Sequence, residues 1–317
     1  MFQQAIVDPD VARFVQALLA GTARHPDFSE RSVRDQRRIL VDIRRPWREG
    51  GPAVPHDDIA VGNAGESVTI RIFLPEGCLR PAPVLIYMHG GGFVYFGLDT
   101  HDRLMRELAA RSGMAVVGVD YALAPEALFP KALNQVVSVV DWIAGEGRRY
   151  GLDPDRIFAG GDSAGANLAL SAGIVLRDRG DGARLSGLLL NYGFFDADSS
   201  TSSHQRYGGP GEILTTQELD FYMRAYVGED TPLTHPLVQP ALADLHGLPP
   251  SFHIIAQCDP LADCATGVAA RLSAESGQVD ARVYPGATHS FLEAVSISAL
   301  AAQALDDAAT WLKARAA

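Results

Sequence analysis

A serine lies in a G-x-S-x-G motif at residues 161–165, where an apolar run ends and an Ala- and Leu-rich helical pattern begins. Such a strand-turn-helix junction strains the backbone of the serine and projects its hydroxyl outward at the helix N-terminus. The flanking glycines leave room for the neighbouring strand and helix. The motif predicts that Ser163 is a nucleophile, although three fixed positions are a weak signal without further context.

A second motif supplies that context. Residues 89–92 read His-Gly-Gly-Gly and follow the apolar run 83–88. Consecutive glycines cost conformational entropy, but they allow backbone N–H groups to approach a ligand closely. The developing oxyanion of an ester is such a ligand. We therefore expect the N–H groups of Gly91, Gly92 and Ala164 to form an oxyanion hole.

Two polar residues beside these motifs are predicted to orient the loop and not to react. His89 precedes the glycines, a position that suits a histidine that forms hydrogen bonds and holds the loop. Asp162 adjoins Ser163 but points away from it on the turn, so a structural hydrogen bond is the favoured role.

An acid and a histidine follow later in the chain, in the order that hydrolases with this serine motif use. Asp259 comes after the strand-like run 251–258, and Pro260 blocks continuation of that strand. Its carboxylate is thus expected at the C-terminal edge of a sheet, where α/β proteins build their sites. His289 follows a last strand and a turn at 283–288, so it can reach the same edge.

The acid has two alternatives, Asp263 and Asp196. Asp263 immediately precedes a helical pattern, where aspartate is a common N-cap, and Asp196 follows the strand after the helix of the serine. Asp259 carries the better motif. In the favoured arrangement His289 takes the proton of Ser163, and the acid fixes the imidazole tautomer.

These motifs together resemble those of the hormone-sensitive-lipase-like carboxylesterases. Residues 120–126 are similar to the D-Y-R-L-A-P-E of that family, residues 259–263 to its D-P-L-R-D, and residues 289–291 to its H-G-F. The similarity runs from about residue 65 to the end. It implies an α/β-hydrolase fold with a mostly parallel sheet of about eight strands flanked by helices, a helical cap, and cofactor-free ester hydrolysis.

Apolar runs alternate with helical patterns from Val68 onward, which is typical of strands joined by crossover helices. The run 67–74 alternates polar and apolar residues as an outer strand does. Strands are predicted near 68–74, 83–88, 115–120, 156–160, 187–192, 251–258 and 280–284. Helices are predicted near 102–112, 130–148, 164–178, 264–276 and 297–315.

Two segments do not fit this alternation: residues 1–55, with an amphipathic stretch at 32–47, and an insertion at about 197–236, with a helix-like stretch at 215–227. The resemblance implies that they form a helical cap on a catalytic domain of residues 56–317. Five apolar residues of these segments are candidates for lining the substrate entrance: Phe14, Leu18, Tyr207, Phe221 and Tyr222. The alternative for each of them is packing inside the cap itself.

Large aromatic residues follow the glycines and the strand after the helix of the serine. They should shorten an acyl or alcohol pocket, so esters with acyl groups from acetyl to about hexanoyl are expected. The predicted pocket residues are Phe93, Phe96, Tyr192, Phe194, Tyr207 and Phe221.

Composition excludes several other classes. The 317 residues carry 27 Lys and Arg against 38 Asp and Glu, a net charge of -11, with no basic run for nucleic acid or anionic lipid. The histidines show no metal-binding spacing. Three cysteines, without a secretory or membrane-spanning pattern, indicate a reduced, cytoplasmic protein.

The sequence leaves two other functions open. An amide or formamide hydrolase would use the same residues, and a ligand-binding protein on this fold is a third possibility that retention of His289 disfavours. The last predicted strand is a candidate sheet edge, which predicts a possible homodimer through it.

Overall fold

The computed structural model describes residues 6–62 and 67–317; the first five residues of the predicted N-terminal cap segment lie outside this part. The strands are β1 His56–Val61, β2 Val68–Phe73, β3 Ala82–Met88, β4 Ala115–Asp120, β5 Leu152–Asp162, β6 Leu185–Asn191, β7 Ser251–Cys258 and β8 Val279–Thr288. The α-helices are α1 Pro9–Ala23, α2 Val33–Arg48, α3 Asp102–Ser112, α4 Lys131–Glu146, α5 Ala164–Asp178, α6 Ser202–Tyr207, α7 Thr216–Val227, α8 Ala262–Ser276 and α9 Ala299–Ala316.

The strands form a mostly parallel sheet. Within the described residues it has eight strands in the order β1-β2-β4-β3-β5-β6-β7-β8. β2 is antiparallel to both of its neighbours, and the remaining pairs are parallel. The central strands β3 and β6 are almost entirely buried and largely apolar because helices cover both of their faces. This arrangement confirms the predicted α/β architecture.

Two hydrophobic cores lie on opposite faces of the sheet. One is formed with α4, α5 and α8, and contains alternate strand residues such as Val84 and Ile86. The other is formed with α3 and α9, and contains the intervening residues such as Leu85 and Tyr87. Since side chains alternate across a strand, a single apolar run supplies both cores.

The outer strand was predicted wrongly. The run 67–74 forms β2, the second strand, and β1 lies outside it at the edge of the sheet. β1 is mostly exposed and begins His-Asp-Asp, so it lacks the apolar pattern that identified the other strands. Antiparallel backbone pairing with β2 forms it instead. β5 and β8 also extend beyond their predicted bounds.

Side-chain caps define the starts of the helices in the two segments predicted to form the cap. Ser32 accepts a hydrogen bond from the N–H of Asp35 at the start of α2. Thr215 and Glu218 form a capping box at the start of α7. α2 is tied to the sheet domain by Arg37, which pairs with Glu126. Glu126, the last residue of the motif 120–126, therefore anchors α2 to the sheet domain through this ion pair.

The core on the α9 side should depend on Leu305, which has no exposed surface. We expect Leu305→Ala to lower the free energy of unfolding by about 3 kcal/mol, because it leaves a cavity between helix and sheet. Gln303→Ala, on the exposed side of the same helix, should change it by less than about 0.5 kcal/mol. Urea unfolding followed by circular dichroism measures both; equal losses would contradict this packing.

Candidate active site

Ser163 lies on the turn between β5 and α5, with φ 54° and ψ −117°. This positive φ is rare for a residue with a side chain, and it confirms the strained backbone expected from the motif. A Cβ at Gly161 or Gly165 would collide with the backbone carbonyl oxygen of Met88 at the end of β3. Both flanking glycines are therefore required for the turn to pack against that strand.

The structure brings the three predicted polar side chains together. Oγ of Ser163 lies 3.0 Å from Nε2 of His289, and Nδ1 of the same imidazole lies 2.7 Å from Oδ2 of Asp259. All three residues are buried, with exposed fractions of 6%, 6% and 0%. The arrangement requires Nδ1–H to donate to the carboxylate, which leaves Nε2 free to accept the proton of the serine hydroxyl.

The acid is held at the end of β7. Oδ1 of Asp259 accepts a hydrogen bond of 2.9 Å from the N–H of Leu261, so its other oxygen faces the imidazole. The alternatives lie elsewhere: Asp263 accepts from the N–H of Ser203 in α6, and Asp196 accepts from a neighbouring N–H in its own loop. Asp263 is also not the N-cap that was predicted, because α8 begins one residue before it.

The glycine loop lies directly over the serine turn. Gly91 and Gly92 have φ of 109° and 61°, which only glycine adopts readily. In the described part of the chain, the N–H groups of Gly91, Gly92 and Ala164 donate to no protein acceptor. Three backbone donors close to the serine are thus available to a ligand.

The predicted loop-orienting residues contact the loop. Asp162 accepts hydrogen bonds from the N–H of Gly90, at 3.1 Å, and from the hydroxyl of Tyr87, at 2.8 Å. His89 donates from Nδ1 to the carbonyl oxygen of Gly90, at 2.7 Å. Burial lowers the pKa of His89 to about 3, so this imidazole is neutral. Tyr121 stacks on it and bonds its backbone carbonyl.

The predicted pocket residues divide into two groups. Phe96 and Phe221 line a cavity of about 490 Å³ between α1, α2 and α7, together with the entrance candidates Leu18 and Tyr222. The cavity borders the glycine loop, because a Cβ at Gly92 would collide with the ring of Tyr222. The ring of Tyr222 therefore separates this cavity from Gly92.

The other candidates do not line this cavity, and their place in a substrate pocket stays a prediction. Phe93 stacks on Tyr226 with ring centroids 3.8 Å apart, and Phe194 belongs to the same core. Tyr192 packs edge-on against the imidazole of His289. Tyr207 and Phe14 are buried in packing contacts, beside Cys258 and Trp47 respectively. Sequence showed these residues to be large and apolar, but not the direction of their side chains.

Sequence reasoning missed two arginines on α2. Arg37 bonds the carbonyl oxygens of Val94 and Ala124 in addition to its ion pair. Arg44 forms a buried ion pair with Glu293, four residues after His289, at 3.1 Å. The two arginines are seven residues apart and thus share a helix face. The residues that these two arginines contact are far from them in the sequence, so no local pattern could predict the contacts.

One group of potential metal ligands lies in the described residues, at Asp244, His246 and Glu275. It is at the opposite end of β7 and α8 from Asp259, and Glu275 is already engaged by Arg271 and by the N–H of Leu245. It therefore has no part in the chemistry at Ser163.

Comparison with known proteins agrees with this geometry. A family model described as alpha/beta hydrolase fold matches residues 85–293. The acetyl esterase of Salmonella choleraesuis (strain SC-B67) is 35% identical over 285 residues, which are 89% of this chain and 87% of the relative.

Solved esterases superpose over nearly the whole chain. The hyperthermophilic esterase of the archaeon Pyrobaculum calidifontis is 31% identical with a TM-score of 0.90, over 98% of this chain and 99% of that one. A thermostable esterase of Pseudomonas putida ECU1011 is 27% identical with a TM-score of 0.92, over 100% and 99%. The fold and site define a carboxylesterase of the α/β-hydrolase class. The chain belongs to the hormone-sensitive-lipase-like family of that class.

None of the helices in residues 6–62 and 67–317 combines the length and the apolar character needed to cross a membrane.

The contact between Gly92 and Tyr222 generates a prediction. We expect Gly92→Ala to lower kcat by about a hundred-fold or more, because the methyl group collides with Tyr222 and displaces a loop whose N–H groups are the expected oxyanion donors. Gly113→Ala is the matched control: it has a similar φ of 68° but open space around the Cβ position. It should cost about 1 kcal/mol of stability and leave kcat unchanged. Ester hydrolysis and thermal unfolding separate the two effects.

Proposed function

We propose that the protein hydrolyses small carboxylic esters with short acyl chains through a covalent acyl-enzyme formed on Ser163. The observation that carries the proposal is the continuous hydrogen-bonded chain from Ser163 through His289 to Asp259 beside three unengaged backbone N–H groups. A nucleophile, an oriented base and oxyanion donors are the groups that acyl transfer requires.

The proposed reaction begins when Oγ of Ser163 attacks the carbonyl carbon of the ester and Nε2 of His289 takes its proton. The carbonyl electrons move onto oxygen, where the N–H groups of Gly91, Gly92 and Ala164 stabilise the charge. The imidazolium then protonates the leaving alkoxide, and an alcohol departs. Water attacks the acyl-enzyme by the same steps and releases the carboxylic acid. Asp259 stabilises the imidazolium in both halves.

The short-chain preference is supported by the enclosure of the site. Ser163 and His289 are largely buried, and aromatic rings of Phe96, Phe221 and Tyr222 narrow the cavity beside the glycine loop. The acetyl esterase of Salmonella choleraesuis is a relative whose name specifies the smallest such acyl group. We propose that residues 1–55 and 197–236 act as the cap that sets this limit.

Hydrolysis of p-nitrophenyl acetate, butyrate, octanoate and dodecanoate tests the proposal. We expect activity to be highest with the short acyl chains, and Ser163→Ala to lower kcat by several orders of magnitude. Ser200→Ala, an exposed serine in the 197–236 segment, is the control and should match the parent protein. A phosphonate ester should label Ser163 alone, as read by intact mass.

Two outcomes would contradict the proposal. Activity that is retained by Ser163→Ala would place the reaction elsewhere. A Ser163-labelled protein that hydrolyses anilides or formamides, but none of the esters, would identify the amide hydrolase that the sequence left open.

We also propose that two copies pair through β8. β8 lies at the edge of the sheet, and Val283 on it is 53% exposed. An unpaired edge can continue the sheet into a second copy across a two-fold axis.

Light scattering at micromolar concentration tests this pairing. The parent protein should be a dimer, and Val283→Lys should shift it towards monomer because two lysines would face each other near the axis. Leu242→Lys, a similarly exposed residue in another part of the chain, should stay dimeric. A monomeric parent protein would refute the dimer.

A further inference from the structure

A second buried imidazole lies behind the serine turn. His101, at the N-terminus of α3, is 1% exposed, and its Nε2 lies 3.3 Å from Oδ2 of Asp162, which is 2% exposed. Asp162 immediately precedes Ser163. Through its other oxygen it accepts hydrogen bonds from the N–H of Gly90 and the hydroxyl of Tyr87. One carboxylate thus connects His101 to the glycine loop.

The hydrogen bonds around His101 define its protonation. The hydroxyl of Thr100 lies 2.8 Å from the carbonyl oxygen of Gly97, to which it donates its single hydrogen. Nδ1 of His101 lies 3.0 Å from the same hydroxyl oxygen, so with the hydroxyl hydrogen on Gly97 it is Nδ1 that donates. Nε2 faces a carboxylate oxygen, which only accepts. Both contacts are satisfied when both ring nitrogens carry protons, which is the imidazolium form of His101.

The surrounding charges agree with this assignment. Burial by itself would lower the pKa of His101, but Asp162 raises it above its ordinary value, with a smaller contribution from Glu293 and an opposing one from Arg44. Burial would likewise raise the pKa of Asp162, but His101 and Tyr87 bring it below its ordinary value. The neighbouring His89 is neutral and adds no charge to this pair.

We propose that His101 is a positioning residue for ester hydrolysis, and that its positive charge keeps Asp162 ionised so that the carboxylate holds Gly90 and the oxyanion glycines in place. The inference rests on the proposed function. A charged acceptor forms a stronger bond to a backbone N–H than a neutral one does. A buried carboxylate without a counter-charge would be protonated or would leave the interior.

The space around the carboxylate supports the same role. A Cβ at Gly90 would lie 2.5 Å from Oδ2 of Asp162, so the loop backbone is in direct contact with this oxygen. Gly90 precedes Gly91, whose N–H is a proposed oxyanion donor. A shift of Asp162 would move that donor, and small displacements of such groups are costly for the rate.

The direction of the pH dependence follows from the two pKa shifts. The raised pKa of His101 gives a stabilising contribution that is complete below the ordinary histidine value and is lost as pH rises through the folded-state pKa. The lowered pKa of Asp162 gives a contribution present above the ordinary aspartate value and lost as pH falls through the folded-state pKa. Between the lowered pKa of Asp162 and the raised pKa of His101, both members of the pair are charged. We expect kcat to fall as the pH rises through the pKa of His101, because the imidazolium is then lost.

The experiment compares the parent protein with His101→Gln, Asp162→Asn and the double variant, using p-nitrophenyl butyrate from mildly acidic to alkaline pH. His101→Gln keeps a neutral donor but removes the charge. We expect it to lower kcat on the order of ten-fold with little change in KM, and to abolish the alkaline fall in kcat. The double variant should be no worse than either single one, because the residues act as a pair.

His253→Gln is the matched control. His253 is also buried, at 1% exposed, and it bonds Ser251 at a point on β7 remote from the glycine loop. Burial lowers its pKa to about 3, so it carries no charge to lose. This variant should keep the parent kcat and the parent pH profile.

NMR of the parent protein labelled with ¹⁵N at histidine tests the charge on His101 directly. One signal, assigned by its loss in His101→Gln, should show protons on both ring nitrogens at neutral pH. A neutral imidazole at that pH, or a His101→Gln variant with the parent kcat and alkaline limb, would overturn the inference. Absence of Ser163-dependent hydrolysis in the parent protein would instead refute the proposed function itself, and that comparison involves none of these variants.

Discussion

The structure depends on the close approach of two backbones, the turn at Ser163 and the end of β3. Gly161 and Gly165 have no room for a side chain because the carbonyl oxygen of Met88 occupies that space. This contact sets the serine turn against the strand that continues directly into the glycine loop. The strained φ of Ser163 is maintained by the sheet on either side of it. The serine turn and the glycine loop are therefore positioned by one packing interaction.

Charged pairs extend this constraint outward from the turn. Asp162 and His101 join the serine turn to α3 and to the glycine loop. Arg44 and Glu293 join α2 to the segment that follows His289, and Arg37 joins the same helix to the backbone at Val94. The first two pairs are buried, where an unpaired charge is very unfavourable. Each pair therefore couples an outer helix to a loop of the site.

Much of the fold and site could be predicted because the relevant signals are local. Apolar runs marked the buried strands, and the motifs at 89–92 and 161–165 marked the turns, since only glycine permits those backbones. Asp259 and His289 followed from their order and from strand ends that meet at one sheet edge. The edge strand β1 and the directions of Phe93, Phe194 and Tyr207 could not be predicted, because pairing and packing with distant residues determine them.

By itself, the sequence determined which residues can do chemistry and that they lie at one edge of a parallel sheet, because strand pattern and glycine requirements are properties of short segments. Only the tertiary structure decided how they are held. The distances among Ser163, His289 and Asp259, and the pairing of His101 with Asp162, each join residues from separate elements. Such contacts arise when the chain folds back on itself, and no local pattern encodes them.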